Sequence, residues 1–236
     1  MITDRQKLIL RNVIREYVDS ACPVSSQLVQ KEYNLGLSPA TIRMEMQELE
    51  NRGYLSQPHT SAGRVPTDKG YKFFVNELVN YSEERKNNDL FELEKALKNT
   101  RDAFKVFRAL TKEIASKTEG LVIGYDQSED RIYKEGWSRI LKEPEFKNPK
   151  TCVDLAEIVD LLEDDIRDYR GEEISIYIGG NNPFYKNKNF SLILSNLNTE
   201  EDNIVFGIIG PKRMLYDKNI HLVNSLISLF KKRYDK

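Results

Sequence analysis

Cysteine and histidine are scarce in this sequence, and each scarcity closes a class of chemistry. The two cysteines, Cys22 and Cys152, lie far apart among 236 residues. They allow at most one bridge, so a disulfide framework is excluded. The two histidines, His59 and His221, come with no Cys-x-x-Cys pair, which leaves a structural zinc site without a ligand set. The same shortage removes any Ser-His-Asp or Cys-His constellation. No catalytic set is apparent, so the chain is read as a non-enzyme that needs no cofactor. No apolar run approaches the roughly 20 residues that span a bilayer. The opening Met1-Ile2-Thr3-Asp4-Arg5 lacks the basic-then-apolar layout of a signal peptide. A cytoplasmic location without membrane contact is the expectation. An excess of one charge is missing too: 36 Lys and Arg face 37 Asp and Glu, a formal net of −1. A chain-wide polycation is therefore excluded, and any nucleic-acid contact must come from a local patch.

What is present is enough apolar material for a core: 39% hydrophobic residues beside 31% charged ones. The length suits one large domain or two small ones. In the first segment Leu10, Val13, Ile14, Tyr17 and Val18 recur at helical spacing, with Asp4 as the expected cap. Ser20-Ala21-Cys22-Pro23 stops that helix. A second, short helix starts at Ser25 or Ser26 and ends near Asn34-Leu35-Gly36. Ser38-Pro39 opens a third, with serine as N-cap and proline at the first helical position, where a missing N–H costs nothing. Ile42, Met46 and Leu49 form its inward stripe and Gly53 ends it. Tyr54–Gln57 and Arg64-Val65 are strand candidates around the loop Pro58–Gly63, and Thr67-Asp68 caps the next helix. Three helices and a hairpin are the outline of a winged helix-turn-helix.

Beyond residue 72 the character changes. Residues 73–117 read as a charged helical connector with an apolar stripe of Phe73, Phe74, Leu78, Leu93, Leu97, Phe104, Phe107, Leu110 and Ile114. Residues 118–236 read as an α+β domain. Its strand candidates are 119–125, 131–133, 174–178, 190–195 and 204–209. An acidic helix over 152–169 presents Val153, Ala156, Val159, Leu162 and Ile166, and a closing helix spans 219–234. Pro144-Glu145-Phe146 is placed in a loop. Gly179-Gly180-Asn181-Asn182 lacks the lysine-serine ending of a P-loop and reads as a turn. Glu163-Asp164-Asp165 lacks the ligand spacing of a calcium loop and reads as a solvated helix face.

The third helix carries the functional signal. Ala40 is small enough to let a helix approach a major-groove floor, and Thr41 and Arg43 offer a hydroxyl and a guanidinium. Alone it would pass for an ordinary amphipathic helix with a solvated arginine. Its place after a turn and before a hairpin favours DNA. In the hairpin loop, His59, Thr60 and Ser61 are wing residues, and Arg64 is placed to reach DNA. By itself this loop would be a plain turn.

From Ser38 to Glu50, and again from Gly53 to Tyr71, the residues resemble the N-terminal domain of the HrcA family of heat-inducible transcription repressors. Gly207–Tyr216 resembles that family's Gly-Pro-x-Arg-Met-x-Tyr segment, and Pro144-Glu145-Phe146 and Ile176-Tyr177-Ile178-Gly179 resemble its intermediate landmarks. Met44 stands where the family commonly has asparagine. The chain is also shorter than the usual member, with residues 114–131 in place of part of a GAF-like domain and its dimerising insert. The resemblance implies an α+β protein with a winged helix-turn-helix at 1–72, a helical connector at 73–117 and a reduced GAF-like regulatory domain at 118–236. It implies a repressor at an inverted-repeat heat-shock operator of the CIRCE type, dependent on a GroEL-type chaperonin. Ala40, Thr41, Arg43 and Met44 are then expected at the bases, and Ser38, His59, Thr60, Ser61 and Arg64 at the backbone. A palindromic site asks for a homodimer, with the aromatic stripe of the helical region as the favoured contact. The rival reading is a ligand-sensing regulator that uses the GAF-like domain. It requires a concave apolar pocket with a few converging polar groups.

Overall fold

The computed structural model describes residues 2–81, 94, 103–198 and 203–234. The chain divides into two compact units, Met1–Tyr81 and Ser82–Lys236.

In the first unit, Thr3 starts helix α1 (Asp4–Ser20). Its hydroxyl accepts from the Gln6 amide at 3.2 Å, and the Gln6 side chain accepts from the Thr3 amide at 3.1 Å. This reciprocal box displaces the expected Asp4 cap, because it satisfies two orphan amides at once. Ile9, Leu10, Val13 and Ile14 are buried on one face of α1. Helices α2 (Ser26–Tyr33) and α3 (Pro39–Asn51) pack on α1 and on each other. A short antiparallel hairpin follows, β1 (Leu55–Ser56) with β2 (Val65–Pro66), in the register Leu55↔Pro66. Helix α4 (Asp68–Tyr81) is capped by Thr67, whose Oγ1 accepts from the Gly70 amide at 3.1 Å. Tyr71, Phe74 and Val75 of α4 are buried, and Glu77 pairs with Arg11 at 3.1 Å. The first unit therefore runs past residue 72, because α4 is part of its core.

The second unit is α+β. It contains α5 (Ala103–Lys117), β3 (Leu121–Asp126), β4 (Arg131–Glu135), α6 (Trp137–Ile140) and α7 (Pro149–Asp165). After these come β5 (Ile174–Ile178), β6 (Phe190–Asn198), β7 (Asn203–Pro211) and α8 (Tyr216–Tyr234). The sheet order is β4-β3-β7-β6-β5, with every neighbouring pair antiparallel. Strand alternation sends Leu121, Ile123 and Tyr125 of β3, Leu192 and Leu194 of β6, and Val205 and Ile209 of β7 to one face. There they join Leu155, Ile158, Val159 and Leu162 of α7 in one buried cluster. Helix α5 packs on β3, and a Cβ at Gly124 would lie 2.8 Å from the Phe107 ring and from Thr111 Oγ1. Only a residue without a side chain admits α5 so close to the sheet.

Several expectations change here. The inward residues of α7 are Leu155, Ile158, Val159 and Leu162, while Val153 is 57% exposed and Ala156 is also exposed. The helix has apolar residues on two overlapping stripes, and the sheet selects one of them. Pro144–Lys147 forms a 3₁₀ turn that seats the buried Phe146 edge-on against Phe190. Helix α6 has no counterpart among the expected elements. The apolar stripe over 73–114 is also divided. Phe74 is buried in the first unit, whereas Phe107 is buried in the second against the rings of Tyr133 and Phe206, both at 5.5 Å. Leu93, Leu97 and the Phe104 side chain lie outside the described residues. No described helix is long and apolar enough to cross a membrane.

Candidate nucleic-acid interface

Helix α3 begins at Ser38, whose Oγ accepts from the Thr41 amide at 3.1 Å and lies 2.9 Å from Thr41 Oγ1. Both hydroxyls are thus held in the cap, with Pro39 at the first helical position. Ile42, Met46 and Leu49 are buried, which turns Ala40, Arg43 and Met44 outward, all three exposed. The carboxylates of α3 are held by partners. Glu45 accepts from Gln6 at 2.9 Å and pairs with Arg5 at 3.4 Å. Glu50 pairs with Arg64 at 2.8 Å. Arg43 has no acid within ion-pair distance among the described residues, so the outward face of α3 keeps its positive charge there.

The loop 57–64 is braced from within. Gln57 Nε2 donates to the carbonyls of Thr60 and Ala62, at 3.0 and 2.9 Å. His59, Thr60 and Ser61 are left exposed at its tip. Its return arm forms an antiparallel bridge to Val24: the Val24 amide donates to the Arg64 carbonyl at 2.9 Å, and the Arg64 amide donates back at 2.8 Å. The bridge fixes the loop beside the start of α2, where Ser25 Oγ accepts from the Leu28 amide at 3.2 Å. An open cleft of about 460 Å³ lies between these parts, lined by Ser25, Ser26, Gln27, Ala40, Arg43 and Ser61 among others. None of the described residues that line it carries a carboxylate. The first turns of α2 and α3 both border the cleft, and their free amides add partial positive charge. Arginine, hydroxyls and helix starts without an acid suit an anionic strand of phosphates.

Arg64 differs from its expected place. Its side chain is only 10% exposed. Nε sits 2.8 Å from Glu50 Oε2, and Nη2 donates to Gln47 Oε1 at 3.0 Å. The Val24 bridge orients residue 64 so that the guanidinium runs back along α3 instead of out to solvent. Arg64 thereby positions α3 against the hairpin and neutralises Glu50 near the cleft. Arg64→Ala is expected to lower the stability of the first unit by about 2 kcal/mol, since it removes the cation of Glu50 and a donor from Gln47. Urea denaturation checks this, and an unchanged midpoint would mean that the pair contributes nothing.

The structure thus gathers Ala40, Arg43, Thr60 and Ser61 around one cleft, with Ser38 and Thr41 fixing the helix start. His59 stands at the loop tip, and Met44 lies outward on α3. Ser25, Ser26, Gln27 and Gln57 join the cleft without having been expected there. The Ser25 cap is legible in the sequence, but nothing local shows that it faces a loop more than 30 residues later.

The second unit brings two other sequence landmarks together. Arg213, after β7, forks onto Glu145, with Nε to Oε1 at 2.7 Å and Nη2 to Oε2 at 2.9 Å. Nη2 also reaches Glu143 Oε2 at 2.5 Å. Gly179–Asn181 is a 3₁₀ turn with Gly179 at φ +57°, and Asn182 Oδ1 accepts from the Phe184 amide at 2.9 Å. The sheet face under α7 is filled by Phe146, Tyr185 and Phe190 among other apolar side chains. Burial pushes the Tyr185 hydroxyl well above the usual tyrosine range, so it stays a neutral core group.

A family model described as the HrcA protein C-terminal domain matches residues 67–220. The heat-inducible transcription repressor HrcA of Acetivibrio thermocellus is 54% identical over 82 residues, 35% of this chain and 23% of that protein. The repressor of the same name from Clostridium perfringens (strain SM101 / Type A) is 43% identical over 111 residues, 42% of this chain and 33% of that protein. The chain therefore spans between about a quarter and a third of the length of these curated relatives. A crystal structure described as a hypothetical protein at 2.2 Å resolution shares the fold. Its TM-score is 0.74 at 22% identity, over 98% of this chain and 99% of that one.

Proposed function

The chain belongs to the HrcA family, and from that premise we propose that it is a DNA-binding transcriptional repressor. The first unit acts as a winged helix-turn-helix, with α3 in the major groove and the 58–63 loop as the wing. The observation that carries this reading is the acid-free cleft between α2, α3 and the loop, flanked by exposed Arg43. Ala40, Arg43 and Met44 face bases, while Ser38 and Thr41 hold the helix start. His59, Thr60, Ser61 and the start of α2 follow the phosphate backbone. The operator is an inverted repeat of the CIRCE type that controls chaperone genes. Two copies of the chain bind it in the cytoplasm, matching its two-fold symmetry. The second unit is a GAF-like regulatory domain through which a GroEL-type chaperonin sustains repression, so that repression weakens when unfolded protein occupies the chaperonin.

The test is binding of the purified chain to a labelled CIRCE-type repeat, a half-site and a scrambled duplex across salt concentrations. Preference for the full repeat over scrambled DNA by about 10³-fold or more is expected, with affinity falling steeply as salt rises. Equal affinity for repeat and scrambled DNA would remove sequence-specific repression. Half-site binding as tight as full-repeat binding would remove the dimer. Arg43→Ala is expected to weaken operator binding by about 1–3 kcal/mol with little change on scrambled DNA, as loss of a bidentate base contact would. Equal weakening on both duplexes would make Arg43 a phosphate contact.

A further inference from the structure

Met44 is 72% exposed, more than any other large apolar side chain among the described residues. At 3.6 residues per turn it stands with Ala40 and Gln47 on the side of α3 opposite the buried Ile42, Met46 and Leu49. Its polar neighbours on that face are already engaged. Gln47 Oε1 accepts from Arg64 at 3.0 Å, and Gln47 Nε2 donates to Glu50 and Asn51 at 3.1 and 3.3 Å. Glu45 is held by Gln6 and Arg5, and Glu48, one turn after Met44, accepts from Asn51 at 3.5 Å and lies 4.0 Å from Arg52. The middle of the outward face therefore presents the Ala40 methyl and the Met44 thioether, with Arg43 beside them.

We propose that Met44 is a specificity-determining residue that reads the C5-methyl group of a thymine in the operator. This rests on the repressor reading above. Along the major-groove floor, guanine, cytosine and adenine offer only hydrogen-bond donors and acceptors, and thymine alone adds an apolar group. A thioether pressed against guanine O6 or N7, or cytosine N4, strips water from a polar atom and returns no hydrogen bond. Against a thymine methyl the same side chain buries apolar surface on both partners. An unbranched, polarizable methionine adapts its three torsions to that contact. Met44 thus favours thymine and penalises the other bases at one position, while Arg43 supplies the polar contact next to it.

The experiment uses the full chain and the CIRCE-type duplex with each thymine of one half-site replaced, one at a time, by deoxyuridine, which lacks only the methyl. For the parent protein, one or two replacements are expected to weaken binding about fourfold, the equivalent of one buried methyl. Met44→Ala is expected to lose about the same factor on the unmodified duplex and to be indifferent to those replacements. Met44→Leu keeps the sensitivity. Position 44 is so exposed that neither variant threatens the fold. A flat deoxyuridine scan with the parent protein, or an unchanged scan with Met44→Ala, would overturn the proposal while leaving repression standing. Failure of the parent protein to prefer the unmodified repeat over scrambled DNA would overturn the repressor reading and this one with it.

Discussion

Gly63→Ala is expected to lower the stability of the first unit by about 3–5 kcal/mol and to abolish most operator affinity. A Cβ at residue 63 would lie 2.4 Å from the carbonyl carbon and oxygen of Val24 and 2.7 Å from its nitrogen. These are backbone atoms, so no side-chain rotation relieves the contact. The return arm of the hairpin must move off Val24, which breaks the two bridge hydrogen bonds at 2.8 and 2.9 Å. Each contributes roughly 1 kcal/mol net, and forcing packed segments apart adds about 1–3 kcal/mol of strain. The displacement also pulls Arg64 away from Glu50 and Gln47 and opens the cleft. Denaturant unfolding and operator binding measured on the same variant check both halves. A useful control is Gly53→Ala. There φ is +75° and the space around Cβ is empty, so only backbone strain of about 1 kcal/mol is expected. If Gly63→Ala costs no more than Gly53→Ala, the loop yields freely and the cleft is not rigidly framed.

Arg213→Met is expected to lower the stability of the second unit by about 2–4 kcal/mol, with no direct effect on the contacts proposed for DNA. The Arg213 side chain is 9% exposed and holds two carboxylates, Glu143 and Glu145, at 17% and 31% exposure. Desolvation works against its charge, yet Glu145 and then Glu143 outweigh it and hold the guanidinium pKa above the usual arginine value. Methionine matches much of the stem but leaves two nearby carboxylates half-buried without a counter-charge. Breaking a buried pair in this way costs about 3–5 kcal/mol, and the partial exposure of Glu145 lowers the figure here. Arg213→Lys keeps the charge but cannot fork across both Glu145 oxygens, so it is expected to recover only part of the loss. The comparison of Met, Lys and parent by urea denaturation checks this. A Met variant within about 0.5 kcal/mol of the parent would mean that the triad is surplus to the fold. The segment at stake is the 3₁₀ turn over 144–147, because Glu145 and the buried Phe146 anchor it at the end of the sheet.

The parts of this molecule legible in the sequence are those whose causes lie within a few residues. Ser38-Pro39 writes a helix start because a hydroxyl and a fixed φ act on the very next turn. Ser25, Thr67 and Gly53 are equally local, and each marks an element end in the structure. The apolar run Ile174–Ile178 becomes β5 over the same five residues. The outward face of α3 follows from its inward one, so the exposure of Ala40, Arg43 and Met44 is also local knowledge. Ambiguity enters where local terms balance. In α7, residues 153, 155, 156, 158 and 159 are all apolar, and two helix faces compete. At the start of α1, Thr3 and Asp4 are both good caps, and only the Gln6 partner decides between them.

Neighbouring residues therefore suffice for the starts of α2, α3 and α4, for the placing of the strand runs, for the outward face of α3 and for the family. Long-range packing alone fixes where Arg64 points, which carboxylates Arg213 meets, and why residues 63 and 124 must lack a side chain. Arg64 is a solvent-facing cation in any local reading, yet it is buried against a glutamate 14 residues earlier because a bridge to Val24 turns it inward. Arg213 meets carboxylates 68 and 70 residues away. Gly63 and Gly124 answer to Val24 and Phe107, neither adjacent in the chain. Caps, turns and periodicity are set by sterics and hydrogen bonds over one or two turns of chain. Which charge is desolvated and which surface is approached are set by partners that only chain folding brings within a few ångströms.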